Sequence, residues 1–338
     1  MPQAPEQDEA QDLLMQDPGG RLPPMPWMVW LMGAAACAAL ILVVTHLTEE
    51  EEFLSLLKQM DVRWLLLALG LQACTYLMQG IVWRVATGAT GRALSLGRSY
   101  QISLAMLFVD QALPSAGISG VAVVSGALSR LGMPRAVVAS AVLVDNGMYY
   151  LAYATCMAVA LGVALYNAYL PLWVEVAMLG FVLAGVAMCW VQLSLPNGGM
   201  RWLKPRLRRF AKLAKLVDWL DHAHPAIVKN KRVLLTAFAL HVVNFLLDAT
   251  TIWVAARALG VTASAGGVFS SFMVSTLFRT IGIIPGGLGT FETASVMSLK
   301  SIGLPLSLGL SATLLFRGLS FWLPMVPGLV CAKRMLKR

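Results

Sequence analysis

The sequence predicts an all-α polytopic membrane protein with about six full spans plus two re-entrant helical hairpins forming an inverted repeat. Three observations carry that expectation. Of 338 residues, 58% are hydrophobic and only 13% charged, with a mean hydropathy of +0.71, whereas a soluble domain is about a quarter charged. Apolar runs long enough to cross about 30 Å of hydrocarbon recur along nearly the whole chain. Two of these runs are broken by Pro/Gly segments, Leu113–Gly120 and Ile284–Glu292, which are followed at the same spacing by Gly132-Met133-Pro134 and Gly303-Leu304-Pro305. A shift of 171 positions superimposes Pro114 on Pro285, Gly132 on Gly303, Pro134 on Pro305 and Gly147 on Gly318. In a membrane protein, a repeated broken helix marks the place to look for a substrate site.

Taken in order, residues 1–26 form an acidic, Pro-rich segment read as a disordered cytoplasmic tail. The membrane domain follows at 27–335. Its first run, Trp27–Leu47, lacks a basic leader and a small-residue cleavage site, and so reads as a retained span. Full spans are expected at about 27–47, 63–87, 135–163, 170–193, 232–258 and 305–331. The broken pairs fall at about 97–133 and 264–303, within repeat halves of about 97–163 and 264–331.

Orientation follows from the basic residues. Ten lie between Gly199 and Val233, and Lys333, Arg334, Lys337 and Arg338 close the chain. Because they flank apolar runs, they read as cytoplasmic anchors with both termini inside, and nucleic acid is not an expected partner. Each broken pair then enters and leaves by one face, and the two pairs enter from opposite faces. Two complete spans joined by a tight turn would keep the same end orientation. Within the basic 200–232 loop, Leu207, Phe210, Leu213, Val217 and Leu220 give 205–220 an apolar face, so an amphipathic helix attracted to anionic lipid headgroups is expected there.

Charges at membrane depth are costly and are functional candidates by default. Here they are Asp110, Asp145, Asp248, Arg279, Glu292 and Arg317, with His241, Asn244 and Asp248 on one helix face. The tips add Pro114, Gly117, Pro285, Gly286, Gly287 and Gly289. Helices starting at Gly117 and Gly287 would direct free N–H groups toward an anion such as a lipid phosphate, and the Glu292 carboxylate can cap such groups. The structural alternative is that the glycines permit close packing and the charges form buried pairs, for instance Asp145 with Arg317. The five cysteines lie in apolar segments without metal or redox spacing. There is no nucleophile elbow, P-loop or HExxH motif, so no cofactor, metal or catalysis is expected.

The Ile284–Glu292 segment, the similar break near Pro114, and Gly132 ahead of Asp145 resemble the lysylphosphatidylglycerol synthase transmembrane family over about 30–335. The first tip departs from the pattern, with Ser115-Ala116-Gly117 where Gly-Gly is usual. The resemblance implies a stand-alone, flippase-like domain that moves a polar-headed phospho- or glycolipid between leaflets of a bacterial inner membrane. A non-transporting accessory subunit of a lipid or envelope-glycan pathway and a membrane-embedded transferase are the alternatives. Expected partners are a membrane lipid substrate and, beyond it, a lipid-modifying enzyme or a second copy of the chain.

Overall fold

A computed structural model describes residues 60–89, 93–112, 118–194, 223–282 and 285–337. The expected tail, the 27–47 span, the 205–220 amphipathic helix, Pro114 and Gly117 lie outside these residues. The described part is all helical: α1 Val62–Gly88, α2 Leu96–Ala112, α3 Ile118–Arg130, α4 Arg135–Asn167, α5 Leu172–Ser194, the short α6 Pro225–Val228, α7 Lys231–Ala258, α8 Ala265–Ile281, a 3-10 turn Pro285–Gly287, α9 Thr290–Ser301, α10 Leu306–Arg317, a π turn Gly318–Trp322, and α11 Leu323–Lys337.

Among the described residues, five helices are long and apolar enough to cross a membrane: α1, α4, α5, α7 and the continuous Leu306–Met335 run. They coincide with five of the expected spans. Their outward faces are apolar (Leu66, Leu183, Trp190, Leu235 and Val326 are all exposed), while the described ionisable side chains at mid-helix turn inward. That inside-out distribution suits hydrocarbon as the surrounding solvent.

The broken pairs are shorter than the spans. Helices α2 and α3 have 17 and 13 residues, and α8 and α9 have 17 and 12. At 1.5 Å per residue these reach about 18–26 Å, less than the hydrocarbon thickness. Helices α8 and α9 run antiparallel, because Gly267 at the start of α8 faces Ile302 while Gly282 at its end faces Thr290. Helix α2 packs against α3.

The repeat persists at the level of single hydrogen bonds. Gly132 and Gly303 adopt positive φ, +75° and +94°, a backbone region glycine enters at little cost. Gly132 N donates to Ser129 O and Met133 N to Leu128 O, while Gly303 N donates to Lys300 O and Leu304 N to Leu299 O. Pro134 and Pro305 then cap α4 and α10. Helices α1 and α7 stand ahead of α2 and α8, again about 171 positions apart.

These equivalent helices pack along each other in antiparallel fashion. Asp61 N donates to Ala258 O, Trp64 meets Trp253, and Gln72 meets Asp248. Each hairpin also packs against the long span of the other half, α2 on α11 and α8 on α4. Small residues permit the closest approaches. A Cβ at Gly80 would lie 3.1 Å from the Ser99 backbone, and one at Gly328 would lie 2.6 Å from Leu104 O. In lipid, where apolar burial does not drive helices together, this close contact is what associates them. One apolar core surrounds the first hairpin (Trp83, Ile102, Leu128, Val142) and another the second (Tyr153, Phe272, Phe291, Phe316).

Basic residues gather at one end. Arg84, Arg98, Arg130, Arg135, Lys229, Lys231, Arg232, Lys333 and Arg334 sit where α1, α3 and α11 end and α2, α4 and α7 begin, and Arg130 donates to the Met335 carbonyl there.

Candidate functional site

The two breaks converge. Helix α2, which carries Asp110 near its C-terminus, packs against the Pro285–Gly287 turn. Around this junction the bundle collects nearly all of its inward-facing charge.

At the second break the chain reverses through Gly286, Gly287 and Gly289, with φ of +63°, +65° and +82°. Side chains would collide at two of them: a Cβ on Gly286 would lie 2.3 Å from Phe321 Cε2, and one on Gly287 2.2 Å from Arg279 Cγ. The helix expected to begin at Gly287 begins instead at Thr290, with Gly289 as its cap. The reason is Glu292. Its Oε2 accepts the Gly289 N–H at 2.7 Å and fixes the cap two residues later than the glycine pair suggests. Its Oε1 accepts Arg317 Nε at 2.6 Å, with both side chains buried. Arg317 Nη2 donates to the Gly286 carbonyl at 3.0 Å, and the guanidinium lies 4.3 Å from the Phe321 ring centroid. Arg317 thus ties turn, cap and following span together. The suggested Asp145–Arg317 pair does not form, because Glu292 is nearer and occupies the guanidinium.

Arg279, the remaining cation at the tips, is half-buried and makes no hydrogen bond or ion pair with the described residues. Asp248, Tyr149 and Arg317 lie within its electrostatic range.

At the first break Asp110 Oδ1 accepts the Gly120 N–H at 2.7 Å. Gly120 is required there, since a Cβ would sit 2.2 Å from the carboxylate. Asp145 lies within electrostatic range of Asp110. Asp145 Oδ1 accepts Gln79 Nε2 at 2.8 Å, and His241 Nε2 lies 3.2 Å from the same oxygen, within ion-pair distance but not aligned as a hydrogen bond. Asp248 accepts Gln72 Nε2 at 2.9 Å, and that nitrogen also reaches Thr251 Oγ1 at 3.0 Å. Tyr149 packs edge-on against His241, with 5.6 Å between ring centroids.

The structure therefore brings Asp110, Asp145, Asp248, Arg279, Gly286, Gly287, Gly289, Glu292 and Arg317 into one polar band crossing the bundle. Pro285 takes part through its backbone. Sequence reasoning missed the α1 contribution of Gln72, Tyr76 and Gln79. Their spacing of i, i+4 and i+7 places them on one helix face, a signal that was present but carried no charge. Tyr76 also has a structural task. Pro324 offers no N–H to the Ser320 carbonyl four residues earlier, and the Tyr76 hydroxyl donates there at 3.1 Å. Among the described residues no His/Cys/Asp/Glu cluster suits a metal ion.

Fold and site together define a multi-pass α-helical membrane protein with a buried polar centre. The family described as the lysylphosphatidylglycerol synthase TM region matches residues 30–328, and the chain belongs to that family. It is similar to a UPF0104 membrane protein of Methanothermobacter thermautotrophicus, 23% identical over 316 residues, which cover 87% of this chain and 90% of the relative. It is also similar to UPF0104 membrane protein MJ1595 of Methanocaldococcus jannaschii, 30% identical over 112 residues, covering 32% of this chain and 33% of the relative.

Proposed function

We propose that the protein moves a polar-headed, phosphate-bearing lipid between the leaflets of a cell membrane, holding the headgroup where the two breaks meet while the acyl chains stay in the bilayer. The observation that carries this reading is Arg279, a half-buried guanidinium at the junction that makes no hydrogen bond or ion pair with the described residues. An unpaired cation at such depth is expensive. A diester phosphate supplies a negative charge and two non-bridging oxygens that match the planar guanidinium fork. Arg317, already held by Glu292 and the Gly286 carbonyl, is left the task of shaping the site.

Three features support reading the broken pairs as re-entrant hairpins of an inverted repeat. The helices are shorter than the hydrocarbon layer, the equivalent α1 and α7 run antiparallel, and each hairpin packs on the other half's span. Non-helical backbone at that depth requires burial or a wet cavity, which the polar band would supply. The basic end would face the cytoplasm, where exposed Lys229, Lys231 and Arg232 favour anionic headgroups. No chemical step is assigned.

The test is reconstitution into vesicles with fluorescent phosphatidylglycerol, scoring leaflet exchange by chemical quenching. Arg279→Gln should slow exchange at least tenfold while leaving thermal unfolding within about 1 kcal/mol of wild type, since no partner is orphaned. Exchange at the wild-type rate would refute the assignment.

A further inference from the structure

The polar band carries an unbalanced charge. Among the described residues at mid-span, four carboxylates (Asp110, Asp145, Asp248 and Glu292) face only two guanidiniums, those of Arg279 and Arg317. Unpaired negative charge in hydrocarbon invites a cation. The place prepared for one is the α4–α7 contact. Asp145 and His241 are 3% and 2% exposed, and His241 Nε2 sits 3.2 Å from Asp145 Oδ1 with no aligned hydrogen-bond partner. His241 is the only histidine inside a long span among the described residues.

We infer that Asp145 and His241 form the proton-binding site that couples lipid movement to a transmembrane proton gradient, an inference that rests on the transport reading above. A proton from water bonds to His241 Nε2 and leaves by the reverse path, and no other bond forms or breaks. Its arrival turns a buried carboxylate without a cation into a neutral ion pair and lowers the negative excess of the band. The surroundings fit one proton better than a larger cation. Gln79 Nε2 already occupies the same carboxylate oxygen at 2.8 Å, and the Tyr149 ring closes one side of the imidazole. Other polar and charged groups on elements packed near His241 include Gln72 and Tyr76 of α1, Asn146 and Tyr153 of α4, Arg279 of α8, the Glu292-paired Arg317 of α10, and Asn244 and Asp248 on α7 itself. Asp110 of α2 lies within electrostatic range of Asp145. Arg279 lies within electrostatic range of both Asp248 and Tyr149, so an anionic headgroup arriving there and a proton at His241 would each make the other's binding less costly. That reciprocity is what coupling requires.

The test uses the full chain in vesicles containing fluorescent phosphatidylglycerol, whose phosphodiester does not titrate near neutrality, under a pH gradient of either sign and under none. In wild type the exchange rates under the two opposed gradients should differ at least fivefold, with a pH-sensitive dye trapped in the lumen reporting accompanying proton movement. In His241→Gln and Asp145→Asn, whatever their absolute rates, the two gradients should give rates equal within twofold and no coupled proton signal. Wild-type exchange indifferent to the gradient, or a His241→Gln response equal to wild type, would overturn the inference and leave lipid transport standing. A wild-type chain that moves no lipid would overturn both.

Discussion

The two hairpins share a backbone plan and differ in what fills their tips. Under the 171-position shift, Phe291, Glu292, Phe316 and Arg317 of the second half occupy the places of Gly120, Val121, Asp145 and Asn146 in the first. In the second half Phe291 stacks on Phe316 with 5.6 Å between centroids, and Glu292 binds Arg317, so the tip is filled and neutralised by its own span. In the first half a glycine stands where the phenylalanine would be. Asp110 caps that glycine, and Asp145 turns away toward Gln79 and His241. Beneath the tips the contrast continues, since Ser295 and Thr313 share a hydrogen bond at 2.7 Å where the first half packs Val124 and Val142 into its apolar core. Asymmetry of side chains makes one a rigid, cation-bearing wall and the other an acidic surface open to partners from α1 and α7.

That contrast can be broken at the rigid tip first. Arg317→Ala leaves Glu292 buried without its cation and the Gly286 carbonyl without its donor. A loss of about 3–5 kcal/mol is expected, measured by thermal unfolding in detergent, and Arg317→Lys should recover only part because it cannot reach both acceptors. Next is Gly287→Leu, which combines positive φ with a collision against Arg279. It should cost about 3 kcal/mol and abolish leaflet exchange. At the acidic tip Gly120→Ala should displace the Asp110 carboxylate and cost about 1–3 kcal/mol. Asp110→Asn, which keeps an acceptor, should cost less in the same unfolding measurement. The smallest effect sharpens the symmetry itself. Gly132→Ala and Gly303→Ala introduce a side chain at positive φ into open space, so each should cost about 1–2 kcal/mol. Equal losses are expected, and clearly unequal ones would mean the turns are not equivalent.

Much of this arrangement was legible in the residues. Five spans, both breaks and the charged candidates follow from hydropathy and from proline and glycine, because in lipid the cost of exposing backbone or charge is large and local. The equivalence of α1 and α7 was not legible. Their positions correspond, but Gln72, Tyr76 and Gln79 align with Val243, Leu247 and Thr250 under the shift, and these pairs share no residue type. Helical geometry repeats there without side-chain likeness. The start of α9 was misplaced because glycine content marks where a chain can turn, whereas the Glu292 cap marks where the helix begins.

By itself, then, the sequence determined that this is a membrane-embedded helical protein, where its helices break, and which charges lie at depth. Only the tertiary structure decided how those charges are paired: Arg317 with Glu292, Asp145 with His241 and Gln79, and Arg279 with no described partner. The physical reason is range. Hydropathy and backbone preference act over a few neighbouring residues, whereas a buried ion pair is fixed by which helices touch, and that is settled by packing between segments far apart in the chain.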